Sequence, residues 1–353
     1  MSVTGQNLTA FVTEYADAVR KMARRRIAVV SVGRSDRGHL APVLDTLGDD
    51  GMLVDWPGCA ALADTPKDVT RCLSTAITWF GSQWERLAPD LILLFGDRYE
   101  MLAAAIASLP FAIPLAHLHG GEVTIGAFDN QIRNAITKMA HIHLVSHPHH
   151  AARVRQMGEK KWRIHVTGAP GVDRLEKFSI RTGIGRMILV TLHPCTLEYQ
   201  QTTDITQALI KALGKHDVIW TAANADTYGS RINAAMTASF GSPATPTDDE
   251  YLGLMAYAAV MVGNSSSGII EAPSFRLPVV NIGNRQKGRL RGDNVIDVGT
   301  TAEKITHGIR RALDPEFRAA LSGVNPYGDG HAAPRIAEIL RTVPLDRRLM
   351  EKR

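Results

Sequence analysis

Residues 27–38 read Ile27-Ala28-Val29-Val30-Ser31-Val32-Gly33-Arg34-Ser35-Asp36-Arg37-Gly38. A short apolar run rich in valine, stopped by glycine, is the pattern of a strand buried on both faces, as in a parallel sheet. The polar residues after Gly33 then read as a loop leading into a helix. The same grammar returns downstream. Residues 90–95 form a strand, Gly96-Asp97-Arg98 a turn, and 99–109 an Ala-rich helix. Residues 113–118 form a further strand ending in His119-Gly120-Gly121-Glu122, followed by a helix over 129–140 and a strand over 142–146. Upstream, Leu8, Phe11, Val12, Tyr15, Ala16 and Val19 recur at helical spacing and predict an amphipathic helix over 7–25.

Near residue 168 the pattern restarts. Val166-Thr167-Gly168-Ala169-Pro170-Gly171 has the glycines and proline of a hinge. Strands are then predicted over 186–191, 217–221, 259–263 and 277–282. Alternating strands and helices in both halves place the chain in the α/β class, with two Rossmann-like, doubly wound domains. The boundaries are 1–168 and 169–353. The second domain is assigned the C-terminal helices, and the charged tail after Pro344 reads as frayed. Ligands of such sheets lie beyond the carboxyl ends of the strands. Each polar cluster considered below follows a predicted strand, so all are expected on one rim.

Composition narrows the function classes. Among 353 residues 21% are charged, the net charge is +5, and the one dense basic run is Lys21-Met22-Ala23-Arg24-Arg25-Arg26. Aromatics make up 6%, too few for base-stacking platforms, so no nucleic-acid partner is expected. No apolar stretch approaches the roughly 18 residues that span a bilayer, and no membrane partner is expected. The first residues lack a basic segment followed by an apolar core. Cys59, Cys72 and Cys195 share no tight spacing and suggest neither a disulfide framework nor a zinc site. Those features point to a reducing, cytoplasmic setting.

Gly263-Asn264-Ser265-Ser266-Ser267-Gly268, followed by Glu271, combines small residues, hydroxyls and a nascent helix after a strand. This suits a diphosphate, with Glu271 accepting from ribose hydroxyls; it equally suits a Ser-rich helix cap. Gly283-Asn284-Arg285-Gln286-Lys287-Gly288-Arg289-Leu290-Arg291 carries four cations, either a phosphate clamp or a solvated basic loop. No Walker motif and no strict Gly-x-Gly-x-x-Gly occurs, which argues against an ATPase or a nicotinamide dehydrogenase. In the first half, Asp97, Glu122 and Asp129 are carboxylates beside Arg98, Arg133, His117 and His119. Such groups can take a proton from a sugar carbon and assist a departing diphosphate. Asp129 with Arg133 four residues on also fits an N-cap and a simple helix pair. The histidines, seven of them between His117 and His150, lack His-Glu-x-x-His, so no metal is assigned. His147, His149 and His150 flank Pro148 and read as surface or cap residues. His193 and Asn224 each follow a strand and face either the cleft or an ordinary turn.

Taken together the chain resembles the hydrolysing UDP-N-acetylglucosamine 2-epimerase family, whose members begin sialic and legionaminic acid synthesis. The resemblance runs over roughly residues 27–320. It is carried by Arg34-Ser35-Asp36, Gly96-Asp97-Arg98-Tyr99-Glu100, His117-Leu118-His119-Gly120-Gly121-Glu122, Gly126-Ala127-Phe128-Asp129, Ile132-Arg133, Ile136-Thr137-Lys138, His141-Ile142-His143, His193-Pro194 and the two glycine-bounded loops of the second half. It implies a GT-B-like fold with the active site between two lobes. It also implies conversion of UDP-N-acetylglucosamine and water to N-acetylmannosamine and UDP, through a 2-acetamidoglucal. No nicotinamide and no obligatory metal are implied. Asp97, Asp129 and Arg133 match acid/base positions, with a third such role for His119 or Glu122. Arg34, Asp36, Arg98, His117, His141, His143, His193, Asn224, Asn264, Ser265, Ser266, Glu271 and Arg285 match substrate-binding positions. The partner implied is a nucleotide-sugar substrate, and the protein a homo-oligomer, dimer or tetramer. Four positions depart from the common pattern: His119, Asn130, Asn134 and Arg37. The His119 form also resembles members acting on 2,4-diacetamido-2,4,6-trideoxy sugars or GDP-linked donors.

Overall fold

The computed structural model describes residues 24–59, 65–125, 128–178, 186–195, 198–223 and 228–352, without the side chains of Arg34 and Ser35. Residues 7–23 of the expected first helix, the Gly126-Ala127 pair and Asn224 lie outside the described residues.

In the first lobe β1 (Ile27–Ser31), α1 (Arg34–Leu47), β2 (Gly51–Asp55), α2 (Pro66–Leu87), β3 (Leu91–Phe95), α3 (Tyr99–Ser108), β4 (Leu115–Leu118), α4 (Asp129–Met139), β5 (Ile142–Val145), α5 (Pro148–Gln156) and β6 (Ile164–Val166) follow one another. Their sheet is parallel, in the order β2-β1-β3-β4-β5-β6. Alternate residues of each strand feed opposite layers. Ala28, Val30, Ile92 and Leu94 pack with Phe80, Trp84 and Met101 of α2 and α3. Ile27, Val29, Leu91 and Leu93 pack on the other face with Leu40 and Leu47 of α1. Every residue of β1 is buried, which is why its run carries no polar side chain before Ser31 at its end.

A connection of 3-10 turns, Pro170–Lys177, leads to the second lobe. There β7 (Ile188–Thr191), α6 (Thr202–Leu213), β8 (Val218–Thr221), α7 (Gly229–Phe240), α8 (Asp248–Tyr257), β9 (Val260–Gly263), α9 (Ser267–Ile270), β10 (Val279–Ile282), β11 (Val295–Val298), α10 (Ala302–Ala312) and α11 (Pro315–Ala319) build a parallel sheet ordered β11-β10-β9-β7-β8. Both sheets reverse their strand order beside the first strand. Such a reversal opens a crevice between two diverging loops. In the first lobe the crevice lies between the ends of β1 and β3, and in the second between β7 and β9. The two Rossmann-like lobes give the GT-B-like arrangement that the resemblance implies.

Two sequence expectations are corrected. The C-terminal helices, assigned above to the second domain, return to the first lobe. In α12 (Ala332–Thr342), Ala333, Ile336, Ala337 and Leu340 pack in the layer of Ile27 and Val29. The tail is not frayed. In α13 (Arg347–Met350) Leu349 is fully buried. Arg163 donates to the carbonyls of His141, Arg348, Leu349 and Glu351 at 2.7–3.1 Å. An amphipathic helix packs wherever an apolar layer remains open, and here that layer belongs to the first sheet. Arg163→Ala is expected to cost about 2–4 kcal/mol of stability, since charged hydrogen bonds are lost and buried carbonyls orphaned. Thermal denaturation checks it, and a loss under about 0.5 kcal/mol would mean that other contacts hold the tail.

Cysteine provides the second correction. Cys59 and Cys72 form a disulfide, with Cα atoms 5.7 Å apart. One follows β2 and the other lies in α2, so positions 13 residues apart meet in space although their spacing fits no compact framework. The cysteine argument for a reducing compartment therefore falls. Among the described residues no helix is long and apolar enough to cross a membrane.

Candidate active site

The first lobe presents its chemistry on the loops after β3 and β4. Gly96 takes a left-handed φ of 74°, which turns the chain out of β3 and brings Asp97 to the rim. His117 fixes this turn. Its Nε2 donates to Gly96 O at 2.8 Å, and its Nδ1 accepts from the Thr137 hydroxyl at 3.1 Å. A carbonyl can only accept, which sets the tautomer. Burial holds the ring down at about 3, so it is neutral near pH 7. His117 is thus an internal support, fully buried and not open to substrate.

Asp97 pairs with the Arg133 guanidinium, which is itself buried. Arg133 also donates to Glu122 O at 3.1 Å and to Thr124 Oγ1 at 3.0 Å. Arg133 thus reaches beyond its own helix to serve Asp97 of the loop after β3. Phe128 is the N-cap of α4, and Asp129 is its first residue, half-buried. Arg98 caps α3 and holds Glu100 through two hydrogen bonds of 3.0 and 3.2 Å.

His119 and Glu122 form a second unit. His119 has φ 63°, and Gly121 next to it approaches His150 O so closely that a Cβ there would collide. This bend folds Nδ1 of His119 onto Glu122 Oε1 at 2.5 Å. Ser146 Oγ donates to the same oxygen at 2.9 Å, and Arg289 Nη1 lies 3.3 Å from Oε2. Burial alone would raise the Glu122 carboxyl. The His119 ring, Arg289 and His150 outweigh it and hold the group well below the usual carboxylate range. Nε2 of His119 is buried and has no hydrogen-bond partner. Glu122 is thus fully engaged, while His119 keeps a nitrogen available.

Neither of the other two strand histidines joins this group, which corrects their assignment to the site. His141 lies just before β5, at the opposite end of the strand from the rim, and accepts from Leu115 N at 3.1 Å. His143 is fully buried, its Nε2 3.1 Å from Glu159, which also binds Lys138 and Lys352. Asp36 is buried as well and accepts from Val32 N at 3.1 Å, a tie across the loop after β1. His150 departs from its surface reading too: it is buried, 3.0 Å from Ser146 Oγ. His147 caps α5 as expected. Two departures from the family pattern have local explanations: Asn130 Oδ1 accepts from Thr124 N at 3.2 Å, and Arg37 pairs with Asp55.

In the second lobe β9 ends at Gly263, whose φ of 145° and close approach to Thr191 O leave no room for a Cβ. Asn264 then staples the two loops of the crevice. Its side chain accepts from His193 N at 2.7 Å and donates to His193 O at 2.8 Å. Asn264 O accepts from Arg285 at 3.1 Å and from Gln286 at 2.8 Å. Ser265 Oγ accepts from Ser267 N at 3.3 Å, and Ser266 is the N-cap of α9. Burial, with Arg285 beside it, keeps the His193 ring neutral. The cations of the 283–291 loop diverge: Arg285 faces Asn264, Arg289 reaches the first lobe, and Arg291 pairs with Asp297 at 2.8 Å.

Glu271 follows α9 and is 3% exposed, with both carboxylate oxygens lacking hydrogen-bond partners. Burial pushes it up to about 8. A buried carboxylate in this state is built to receive donors. His39 of α1, which the sequence reading missed, lies 3.4 Å from its Oε1 and stacks on Phe95, whose ring edge meets His119. The two crevices therefore face each other. A continuous line of contacts runs Asp97, Arg133, Glu122, Arg289, Gln286, Asn264.

The two-lobed fold agrees with what known proteins show. The family model for UDP-N-acetylglucosamine 2-epimerase matches residues 39–341. The hydrolysing UDP-N,N'-diacetylbacillosamine 2-epimerase of Legionella pneumophila is 36% identical over 305 residues, 81% of this chain and 80% of that protein. The hydrolysing GDP/UDP-N,N'-diacetylbacillosamine 2-epimerase of Campylobacter jejuni is 38% identical over 261 residues, 66% of each. Among solved structures, UDP-GlcNAc 2-epimerase from Neisseria meningitidis bound to UDP-GlcNAc has a TM-score of 0.74 at 16% identity, covering 89% of this chain and 99% of that one, a likeness of fold. With its two lobes, its facing crevices and most of its length matched, the chain belongs to the hydrolysing UDP-N-acetylglucosamine 2-epimerase family.

Proposed function

We propose that the protein releases UDP from a UDP-linked 2-acetamido sugar while inverting the configuration at C2. The second lobe holds the diphosphate at Asn264–Ser267 and the ribose hydroxyls at Glu271. The sugar ring then lies against the first lobe. In the first step a carboxylate removes the C2 proton, the C1–O bond breaks with its electron pair leaving on UDP, and a C1=C2 double bond forms. In the second, water adds its oxygen at C1 and a proton returns to C2 on the opposite face. Inversion needs donors on two faces, and Asp97 and Asp129 are assigned to them, with Asp97, paired with Arg133, as the first base. His119 takes the proton of the attacking water through Nε2, since Glu122 holds the proton on Nδ1.

The observation that carries this reading is the line of contacts joining the acid/base groups of one lobe to the small-residue cradle of the other. The expected substrate was UDP-N-acetylglucosamine. The names of the two bacterial relatives above favour a 2,4-diacetamido-2,4,6-trideoxy sugar, and the His119 form agrees with them. The test is a panel of UDP- and GDP-linked amino sugars with product NMR in D2O. Stoichiometric UDP release, with deuterium at C2 of a free epimerised sugar, is expected, fastest with the UDP-diacetamido donor. Tight UDP binding with no release from any donor would identify a binding protein instead. Sugar transferred only to an added acceptor would identify a glycosyltransferase.

A further inference from the structure

The loop 283–291 is fastened at one end to the cradle, through Arg285 and Gln286 on Asn264 O. It then crosses to the other lobe. Lys287 O accepts from Ile125 N at 3.0 Å, and a Cβ at Gly288 would stand 2.6 Å from Val123 Cγ1. The next residue, Arg289, reaches Glu122 with a side chain only 10% exposed. It addresses a carboxylate that His119 and Ser146 already bind.

We propose that Arg289 is a positioning residue that arms the His119–Glu122 pair from the nucleotide-binding lobe. The inference rests on the water-activating role given to His119 above. A buried carboxylate beside an imidazole tends to hold an extra proton, and a pair holding that proton cannot take another from water. A cation set against Glu122 opposes the extra proton. The other groups facing the pair do not supply it. Burial holds His39 of α1 and His117 of β4 at about 3 and His150 of α5 at about 4, so all three are neutral near pH 7. Burial raises Tyr327, which stays protonated; Arg133 of α4 is committed to Asp97, and Arg153 of α5 donates to Gly121 O at 2.9 Å instead of to the Glu122 carboxylate. Glu271 adds no positive charge. The charge on the catalytic pair is thus set from the other lobe, by a residue of the loop that also holds Asn264.

Arg289→Gln and Arg289→Lys test this by product partition. Each variant is given the donor that the wild type uses, and hydrated sugar and 2-acetamidoglucal are measured together by NMR across about pH 5.5 to 9. Loss of the cation favours the extra proton, so the acid limb for hydrated sugar should move up by about one pH unit in Arg289→Gln. Near pH 6.5 the glycal share should rise about tenfold, while Arg289→Lys keeps the limb within about 0.3 unit. Arg289→Met replaces the Gln variant if that protein fails to bind UDP. A role in holding the loop alone would lower both products together with the limb unmoved; that result, or unchanged rates, overturns the proposal. A wild type releasing no UDP from any donor is a different outcome, the failure of the functional reading itself.

Discussion

Asp97→Asn is expected to lower turnover about 1,000-fold while UDP affinity stays within about twofold, because the change removes an acid/base group and leaves the other lobe intact. The amide can still accept one hydrogen bond from Arg133, so the buried guanidinium is not stranded. The loss of charge should nevertheless cost about 2 kcal/mol of stability. That cost gives a melting shift to be measured beside the kinetics. The informative readout is exchange at C2. If Asp97 takes the C2 proton, the variant stops deuterium uptake into substrate and product, and the glycal does not form. Calorimetric titration with UDP then shows that the site is still assembled. Turnover within about tenfold of wild type would remove Asp97 from the reaction and leave it as the counter-ion of Arg133.

The same residues show what a sequence can disclose. β1, β3, β4, β5, β7, β9 and β10 lie inside their sheets, and all were read correctly because burial on both faces keeps their runs mostly apolar, interrupted inside only by His117, His143 and Asn281. The strands that were missed, β2, β6 and β11, are edges. Their exposed faces admit Asp55, His165 and Asp297, which breaks the run. The loops after the strands were legible because glycines such as Gly96 and Gly263 take positive φ and turn the chain out of the sheet. What could not be read were destinations across the fold. Nothing local distinguishes His117, bound to Gly96 O, from His119, which keeps Nε2 unpartnered. Both sit beside the same glycines. His39 carried no signal at all, since its neighbours Phe95 and Glu271 are remote in sequence. Arg289 stood in a loop that read as either clamp or solvated surface, and it is neither alone: its guanidinium ends on the opposite lobe.

The choice between His119 and Glu122 yields a second large effect. His119→Asn is the suitable change, because the backbone there has φ 63°, a region that Asn tolerates better than most residues. The shorter amide cannot occupy the place of Nε2, while Ser146 and Arg289 still satisfy Glu122. In the proposed mechanism elimination relies on Asp97 and on the cradle, so UDP release should persist at a substantial fraction of the wild-type rate. Addition of water loses its base and should slow about 100- to 1,000-fold. The two steps then separate. One 2-acetamidoglucal should appear for each UDP released, with the epimerised sugar following slowly, and the glycal's vinylic proton reports it directly. Glu122→Gln should show the same accumulation in weaker form, because the ring survives but its tautomer is no longer fixed. If His119→Asn slows UDP release and sugar formation equally, His119 acts in the elimination as well. The assignment of water activation to its Nε2 would then be lost.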